Sequence, residues 1–286
     1  MNNIKSKVVE GAGKIPGERL RAGRMPGHWL LARLGKRVLR PGGIELTREM
    51  LNGLGIGPSD QVVEFAPGLG STARLALERD PHSYVGVERD EAAAGVVWSY
   101  LRGPRQRCVV GSAEATELEC GSASVVYGEA MLTMQREEQK RRIVGEAHRL
   151  LAPGGRYGIH ELCLVPDNLE EDTKEEIRAA LSTTIRVGAR PLTLSEWRVL
   201  LESEGFEVVQ TSTAPMRLLE PGRLLKDEGL RGTARFLWNV LRAGEARSRV
   251  LAMRKVFRRY RPHLAGVALV GVKPAWGAAE GEEPGG

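Results

Sequence analysis

The stretch Gln61-Val-Val-Glu-Phe-Ala-Pro-Gly-Leu-Gly-Ser-Thr-Ala-Arg-Leu-Ala-Leu77 carries the signals that decide the fold. It opens with a short apolar run, Val62, Val63 and Phe65, which is typical of a strand buried in a parallel sheet. A glycine-rich turn follows, and from Thr72 onward the apolar residues recur at helical spacing. The order strand, tight turn, helix predicts a ligand site, because glycines let a ligand approach the backbone and the first amides of the helix point at it.

The turn matches the pattern of nucleoside-cofactor sites. Gly68, Gly70 and Ala73 satisfy the spacing G-x-G-x-x-G/A. Glu88 stands at the end of a second apolar run, where an acid that binds ribose hydroxyls is expected. These residues predict a nucleoside cofactor without deciding which one.

Two residues beside the glycines favour S-adenosylmethionine over a dinucleotide. The charge of Glu64 would oppose a pyrophosphate but would suit the ammonium and sulfonium groups of S-adenosylmethionine. Pro67 removes a backbone donor that a pyrophosphate would otherwise use. We therefore expect S-adenosylmethionine as the cofactor.

At this point the chain resembles the class I S-adenosylmethionine-dependent methyltransferases. Their first motif is similar to Glu64-Phe-Ala-Pro-Gly-Leu-Gly70, in which Ala66 replaces the first glycine. Glu88 matches the family's acid after strand two, and Leu150-Leu-Ala-Pro-Gly-Gly-Arg156 looks like its turn into strand five. The resemblance covers residues 44 to 206 and a last strand near the C-terminus. It implies an enzyme that transfers a methyl group and has an α/β fold, a doubly wound, mostly parallel seven-stranded sheet.

The resemblance also implies a set of cofactor contacts. Ser112 stands where the family usually carries an Asp that pairs with adenine, and Ala123-Ser124 replaces a frequent Phe-Asp pair, so the predicted adenine contacts are weaker. The positions that we expect to bind the cofactor are Glu64, Ala66, Pro67, Gly68, Gly70, Glu88, Arg89, Ser112, Ala113 and Glu129.

The catalytic residue is poorly marked, because an activated methyl donor mainly requires alignment and needs a base only when the nucleophile retains its proton. Glu129 follows a predicted strand and His160 ends another, and His160 is a candidate general base because histidine side chains commonly exchange protons near neutral pH. The alternative for Glu129 is a solvated loop acid, and the alternative for His160 is a core histidine satisfied by hydrogen bonds.

Met131 and Met134 are candidates for lining the pocket. Arg190 is either a clamp for an anionic substrate or an exposed arginine.

Composition sets wider limits. A chain of 286 residues with 42% hydrophobic content predicts one domain with additions. No segment approaches the roughly 20 apolar residues of a membrane span, and the N-terminal lysines precede no apolar run, so we expect no secretory signal. Cys108, Cys120 and Cys163 lack metal-ligand spacing, which predicts reduced thiols, no metal site and a cytoplasmic protein.

Further patterns divide the chain. Short apolar runs predict strands at 83–88, 106–111, 124–127, 157–162, 206–210 and 265–272, and Thr193 with Glu196 forms a capping box. Trp29 to Leu39 is predicted as a basic amphipathic helix, with apolar residues on one face (Leu30, Leu31, Leu34 and Val38) and basic residues largely on the other (Arg33, Lys36, Arg37 and Arg40). The predicted units are a basic N-terminal extension (1–42), the cofactor-binding core (43–216), a helical lid insertion (217–262), the final strand (263–274) and a disordered tail (275–286).

The charge is uneven, since the net charge of +6 combines basic flanks at 1–42 and 217–261 with an acidic core. The basic flanks suggest an anionic partner, or else solvated helices. The basic N-terminal helix could either contact a membrane surface or pack over the opening of the cofactor site.

We expect methyl transfer to an O, N or C nucleophile of a small, anionic or lipid-like acceptor. The alternatives are a nucleic-acid methyltransferase, an NAD-dependent oxidoreductase with the same turn and a non-catalytic binding protein. A nucleic-acid partner is disfavoured because few aromatic residues accompany the basic ones. The sequence leaves the oligomeric state open.

Overall fold

The structure, a computed structural model, describes residues 20–275. Residues 1–19 of the predicted N-terminal extension and residues 276–286 of the predicted tail lie outside these residues. The strands are β1 Gln61–Phe65, β2 Ser83–Glu88, β3 Gln106–Val110, β4 Ala123–Glu129, β5 Leu151–Leu164, β6 Leu192–Thr193, β7 Glu207–Pro215 and β8 Leu264–Val272. The α-helices are α1 Gly27–Arg33, α2 Gly43–Leu54, α3 Ser71–Leu77, α4 Glu91–Trp98, α5 Glu137–Leu150, α6 Glu171–Ile185, α7 Leu194–Ser203, α8 Pro221–Arg242 and α9 Gly244–Arg259.

The strands form one sheet in the order β3-β2-β1-β4-β5-β8-β7, and the two-residue β6 pairs with β5. All pairings are parallel except those of β8 with β5 and β7. β8 is a continuous apolar run whose residues are almost all buried, as expected for a strand covered on both faces. The predicted doubly wound, mostly parallel seven-stranded sheet is confirmed, with β6 as a small addition.

Three apolar clusters surround the sheet. One face packs against α5 and α7, where Trp197 is fully buried, and the other packs against α2, α3 and α4. The third cluster joins α1, α6, α8 and α9, which we call the helical cap, and includes Leu30, Leu181, Phe236 and Met253. The predicted helical insertion therefore accounts for only part of the cap.

The capping box of Thr193 and Glu196 is present at the start of α7, but three other predictions differ from the structure. The predicted helix from Trp29 to Leu39 is wrong in extent, because α1 ends at Arg33 and Gly35 turns the chain with a φ of 100°. The sequence pattern places Lys36 and Arg40 on the polar face of this predicted helix, but both residues are buried in the structure.

The other two differences concern β5 and α6. β5 begins at Leu151 rather than at Tyr157, since Leu151 already pairs with Ala123 before a break in register. The prediction omits α6, although its buried Ile177 and Leu181 have the spacing of one helical face. None of the helices within residues 20–275 is long and apolar enough to cross a membrane.

Candidate functional site

A cavity of about 590 Å³ lies between the carboxyl ends of the central strands and the helical cap. This is where open α/β sheets bind ligands, and the volume suits a small molecule. All of the predicted cofactor residues except Gly70 line it. We call the part formed by the strand ends the cofactor end and the part formed by α1, α6 and α9 the acceptor end.

The two glycines of the turn have different roles. Gly68 has a φ of 58°, and a Cβ placed there would meet only the carbonyl oxygen of Ala66, 3.9 Å away. The turn is therefore open toward the cavity at Gly68. A Cβ on Gly70, whose φ is 71°, would lie 1.2 Å from the hydroxyl of Tyr100. Gly70 is thus required by packing against Tyr100, and it does not line the cavity.

Glu88 fixes the turn and still faces the cavity. Its Oε2 accepts a hydrogen bond from the amide of Gly68 at 2.9 Å, and its Oε1 accepts one from the amide of Asp90 at 2.9 Å. Each carboxylate oxygen can accept a second hydrogen bond. Glu88 can therefore hold the turn and accept ribose hydroxyls together, the role that its position predicts.

Glu64 is a buried carboxyl group at the bottom of the cofactor end. The hydroxyls of Tyr84 and Tyr127 donate to its Oε2 at 2.6 and 2.8 Å. Burial raises the pKa of Glu64 to about 8, although the two tyrosine hydrogen bonds oppose the shift. Because both tyrosines use the same oxygen, Oε1 is left for a ligand, and a cation there would stabilise the carboxylate.

Glu129 lies at the end of β4 in a buried polar network. Its Oε2 accepts from the Arg40 guanidinium and from the Thr72 hydroxyl, and its Oε1 lies 2.7 Å from Nδ1 of His160. Burial favours the neutral acid, but Arg40, His160 and Thr72 outweigh it and lower the pKa of Glu129 to about 2. Glu129 is therefore ionised and internally paired, which suits an electrostatic contact better than proton transfer.

His160 is fully buried, and its side chain does not line the cavity. Its Nε2 contacts the carbonyl oxygen of Pro41, and its Nδ1 contacts Glu129 and lies 3.4 Å from the Thr47 hydroxyl. Both ring nitrogens are thus engaged by the protein. These contacts favour the alternative of a hydrogen-bonded core histidine, and its role as a general base stays a prediction.

Glu161 shapes the loop that follows β4. Its two oxygens accept hydrogen bonds from the amides of Met131, Leu132 and Thr133 at 2.7 to 3.0 Å and from the Thr133 hydroxyl at 2.7 Å. This clamp places Met131, Thr133 and Met134 in the cavity wall. The two methionines therefore lie where the sequence suggested.

Ser112 stands at the position where the resemblance predicts an Asp that pairs with adenine, so a hydroxyl replaces a carboxylate there. That residue is exposed, and its hydroxyl accepts from the amide of Glu114 at 3.2 Å. Ala113 and Arg89 line the cavity beside it. Glu114, the nearest acid in this loop, binds Arg142 at 2.8 Å and Gln139 at 3.0 Å.

The acceptor end is apolar, and most of its residues were not identified from the sequence. Arg190, the suggested anion clamp, is exposed and lies outside the cavity wall. His28 lies in the wall, and burial lowers its pKa to about 4, so its imidazole is neutral at pH 7. The apolar side chains of this end are Trp29, Leu31, Leu162, Leu181, Ile185, Val187, Ala189, Met216, Leu218, Met253 and Phe257.

Arg40 is a further cavity residue that the sequence analysis did not identify, because the helical pattern places it on the polar face of the predicted N-terminal helix. It lines the cavity and donates to Thr47 at 3.1 Å as well as to Thr72 and Glu129. A sequence signal did exist, since Arg40 follows the end of a helical pattern and precedes Pro41-Gly42-Gly43. Loops of this kind commonly carry functional residues.

The residues of the cofactor end fit S-adenosylmethionine. The open space beside Gly68 and the acceptor oxygens of Glu88 suit an adenosine, and the buried Glu64 suits a cationic sulfonium. Within residues 20–275, no group of His, Cys, Asp or Glu side chains could hold a metal ion.

Comparisons with known proteins agree with this geometry. A family model described as a methyltransferase domain matches residues 62–155. An uncharacterized protein of Haemophilus influenzae is 34% identical over 236 residues, which cover 81% of this chain and 91% of that protein.

Solved structures show the same fold. A phosphoethanolamine N-methyltransferase 2 of Haemonchus contortus in complex with S-adenosyl-L-methionine has a TM-score of 0.65 at 18% identity, covering 87% of this chain and 56% of that one. A geranyl diphosphate methyltransferase in complex with GPP and sinefungin has a TM-score of 0.57 at 15% identity, covering 79% of this chain and 76% of that one.

Proposed function

The chain belongs to the class I S-adenosylmethionine-dependent methyltransferases and uses S-adenosylmethionine as its cofactor, and from this premise we propose a small, largely apolar, lipid-like acceptor. The methyl group would go to an oxygen, nitrogen or carbon nucleophile of that acceptor. The observation that carries this proposal is the acceptor end of the cavity, whose wall is almost entirely apolar. Apolar walls of this kind select ligands mainly by burial of apolar surface.

The positions of the charged side chains favour a lipid-like acceptor over an anionic one. Among the described residues, the basic side chains of the cavity wall, apart from the neutral His28, are Arg37, Arg40 and Arg89, and none of them comes from α1, α6 or α9, the helices of the acceptor end. An anionic acceptor would need a basic partner at the acceptor end to offset the cost of desolvation. A nucleic-acid acceptor would need such partners as well, because phosphate contacts dominate its affinity.

The cofactor end offers a charge pattern complementary to the methionine part of S-adenosylmethionine. Arg40 would bind the carboxylate of that part, and Glu129 would attract its ammonium group. Glu64 would face the sulfonium, as its position in the first motif predicts. When bound, S-adenosylmethionine supplies an activated methyl group with a good leaving group, so the task of the protein is to align the acceptor.

Three titratable groups are candidates for proton transfer, if the nucleophile of the acceptor retains a proton. His28 is neutral and lies at the acceptor end, where it could accept a hydrogen bond from an acceptor hydroxyl or amine. Its lowered pKa makes it a weak base, which suits orientation more than proton removal. Glu129 and His160 remain candidates from the sequence, although their contacts favour orienting roles.

A cytoplasmic location is proposed from the free cysteines, of which Cys108 and Cys163 are buried.

Methyl transfer can be tested with S-adenosylmethionine that carries a radioactive methyl group. Purified protein would be incubated with a total lipid extract, with prenyl and phenolic compounds, with small water-soluble anions and with RNA. We expect label in a product that organic solvent extracts. The matched variants are Ile185→Arg, which places a charge at the acceptor end, and Val199→Arg, which places one at an exposed position of α7. Label only in RNA or in water-soluble anions would contradict the proposal.

A further inference from the structure

The outer surface of α8 exposes large apolar side chains to solvent. Leu230 is 78% exposed, Trp238 59% and Leu241 63%, and Leu237 is also exposed. The residues of α8 that face the cap core are different ones, Gly232, Phe236 and Val240, which follow one another at intervals of four. The exposed apolar residues therefore form a separate stripe, and packing of the cap does not explain them.

A stripe of arginines runs beside the apolar stripe. Arg231, Arg235 and Arg242 are exposed, and their spacing places them together on one side of the helix. The guanidinium of Arg242 lies over the ring of Trp238, 5.3 Å from its centroid. Segment 229–242 contains no acidic residue. We call Leu230, Arg231, Arg235, Leu237, Trp238, Leu241 and Arg242 the α8 surface.

We propose that the α8 surface docks this protein onto an anionic lipid bilayer. An apolar stripe with an adjacent basic stripe is the arrangement of a helix that lies in a membrane interface, with the leucines at the acyl boundary and the arginines at the headgroups. Trp238, which has an apolar indole and one polar N–H group and lies beside Arg242, suits the same interface.

Charge complementarity favours an anionic bilayer over a second copy of the chain. Two α8 surfaces facing each other would supply arginines on both sides and no acid from segment 229–242. Anionic headgroups supply the missing countercharge. Membrane contact through the N-terminal helix stays a prediction, and two apolar residues of α1, Leu30 and Leu31, are buried in the cap, whereas those of the α8 surface are exposed.

The proposal is tested by flotation of the full-length protein with vesicles of phosphatidylcholine alone and of phosphatidylcholine mixed with phosphatidylglycerol. We expect the protein to float with the mixed vesicles, and added salt should reduce this binding. Each of Arg231→Gln, Arg235→Gln and Arg242→Gln should lower the partition coefficient about fivefold. Leu237→Ser combined with Leu241→Ser should lower it about tenfold or more.

Val199→Ser and Val209→Ser are the matched controls, because both valines are exposed on other elements. They should float like the unchanged protein, and thermal melting should show that all variants are folded. Failure of the unchanged protein to float, or equal flotation of the α8 variants, would overturn the proposal. A dimer that dissociates in the same variants would assign the surface to a second copy. The assay needs no turnover, so its result is independent of the proposed acceptor.

Discussion

The two ends of the cavity are built from different kinds of sequence. The cofactor end comes from strand ends and the turns after them, where a few residues in fixed order, such as Glu64, Gly68 and Glu88, do the binding. The acceptor end comes from helices that are remote in the chain, from Trp29 to Phe257, and any apolar side chain of suitable size can serve there. A sequence motif therefore identifies the cofactor end, whereas the acceptor end is defined only by how the helices pack.

The two ends also differ in how they use charge. Buried carboxylates at the cofactor end are each held by named donors, for example Glu64 by two tyrosines and Glu129 by Arg40. At the acceptor end the titratable wall residue His28 is kept neutral by burial. One end therefore recognises charge and the other excludes it, so changes at each end should affect different ligands.

The largest effect is expected from Gly68→Arg at the cofactor end. The new side chain would start from the open space beside Gly68 and fill the cavity, so the Kd for S-adenosylhomocysteine should rise about a hundredfold or more. Calorimetric titration measures this change. Thermal melting should show a folded variant with a lowered Tm, since the new Cβ has space beside the Ala66 carbonyl oxygen but a φ of 58° strains any residue other than glycine. Unchanged binding would show that the cofactor does not use this turn.

The variant Ile185→Arg should separate the two ends. A charge in the apolar wall should lower turnover of a lipid-like acceptor about tenfold or more, because none of the described wall residues that come from α1, α6 and α9 is acidic. Binding of S-adenosylhomocysteine should stay within about twofold of the unchanged protein. Val199→Arg, at an exposed position of α7, is the control for added charge. Equal loss of cofactor binding and turnover would show that the ends are not separate.

The charge contribution of Glu64 can be measured with Glu64→Gln. We expect about tenfold weaker binding of S-adenosylmethionine and a smaller loss for S-adenosylhomocysteine, which lacks the sulfonium charge. Because the pKa of Glu64 is about 8 without ligand, a proton must leave before a cation is bound. Affinity should therefore rise with pH up to about 8 and then level off. The variant should lack this part of the pH profile, and an identical profile in both proteins would refute the assignment.

The smallest effect is expected from His160→Leu, which tests the network behind the cofactor end. The substitution leaves Oε1 of Glu129 and the carbonyl oxygen of Pro41 without their imidazole partner, although Arg40 and Thr72 still donate to Oε2 of Glu129, so the free energy of unfolding should fall by about 1 to 3 kcal/mol. Urea unfolding measures this loss, and turnover should fall only modestly. A drop in kcat of more than about a hundredfold at unchanged stability would instead identify His160 as the base.

Much of the fold and half of the site could be predicted because strands buried in a parallel sheet and the turns after them have local signatures. Runs such as Val62–Val63 and the capping box of Thr193 and Glu196 depend on neighbours in sequence, and both lie where they were predicted. Arg40 and His160 show the limit of such signals. Whether each faces water, the cavity or the core depends on contacts with residues far away in the chain.

The sequence by itself determined the strand order along the chain, the cofactor turn and the choice of S-adenosylmethionine, since each depends on local geometry and on a few charges near the glycines. Only the tertiary structure decided what stands at the other end of the cavity. It brought His28, Leu181 and Phe257 into one wall, buried Arg40 against Glu129 and left the leucines of the α8 surface exposed. Burial is a property of the packed chain, and residues of the same type are core, wall or surface according to what packs against them.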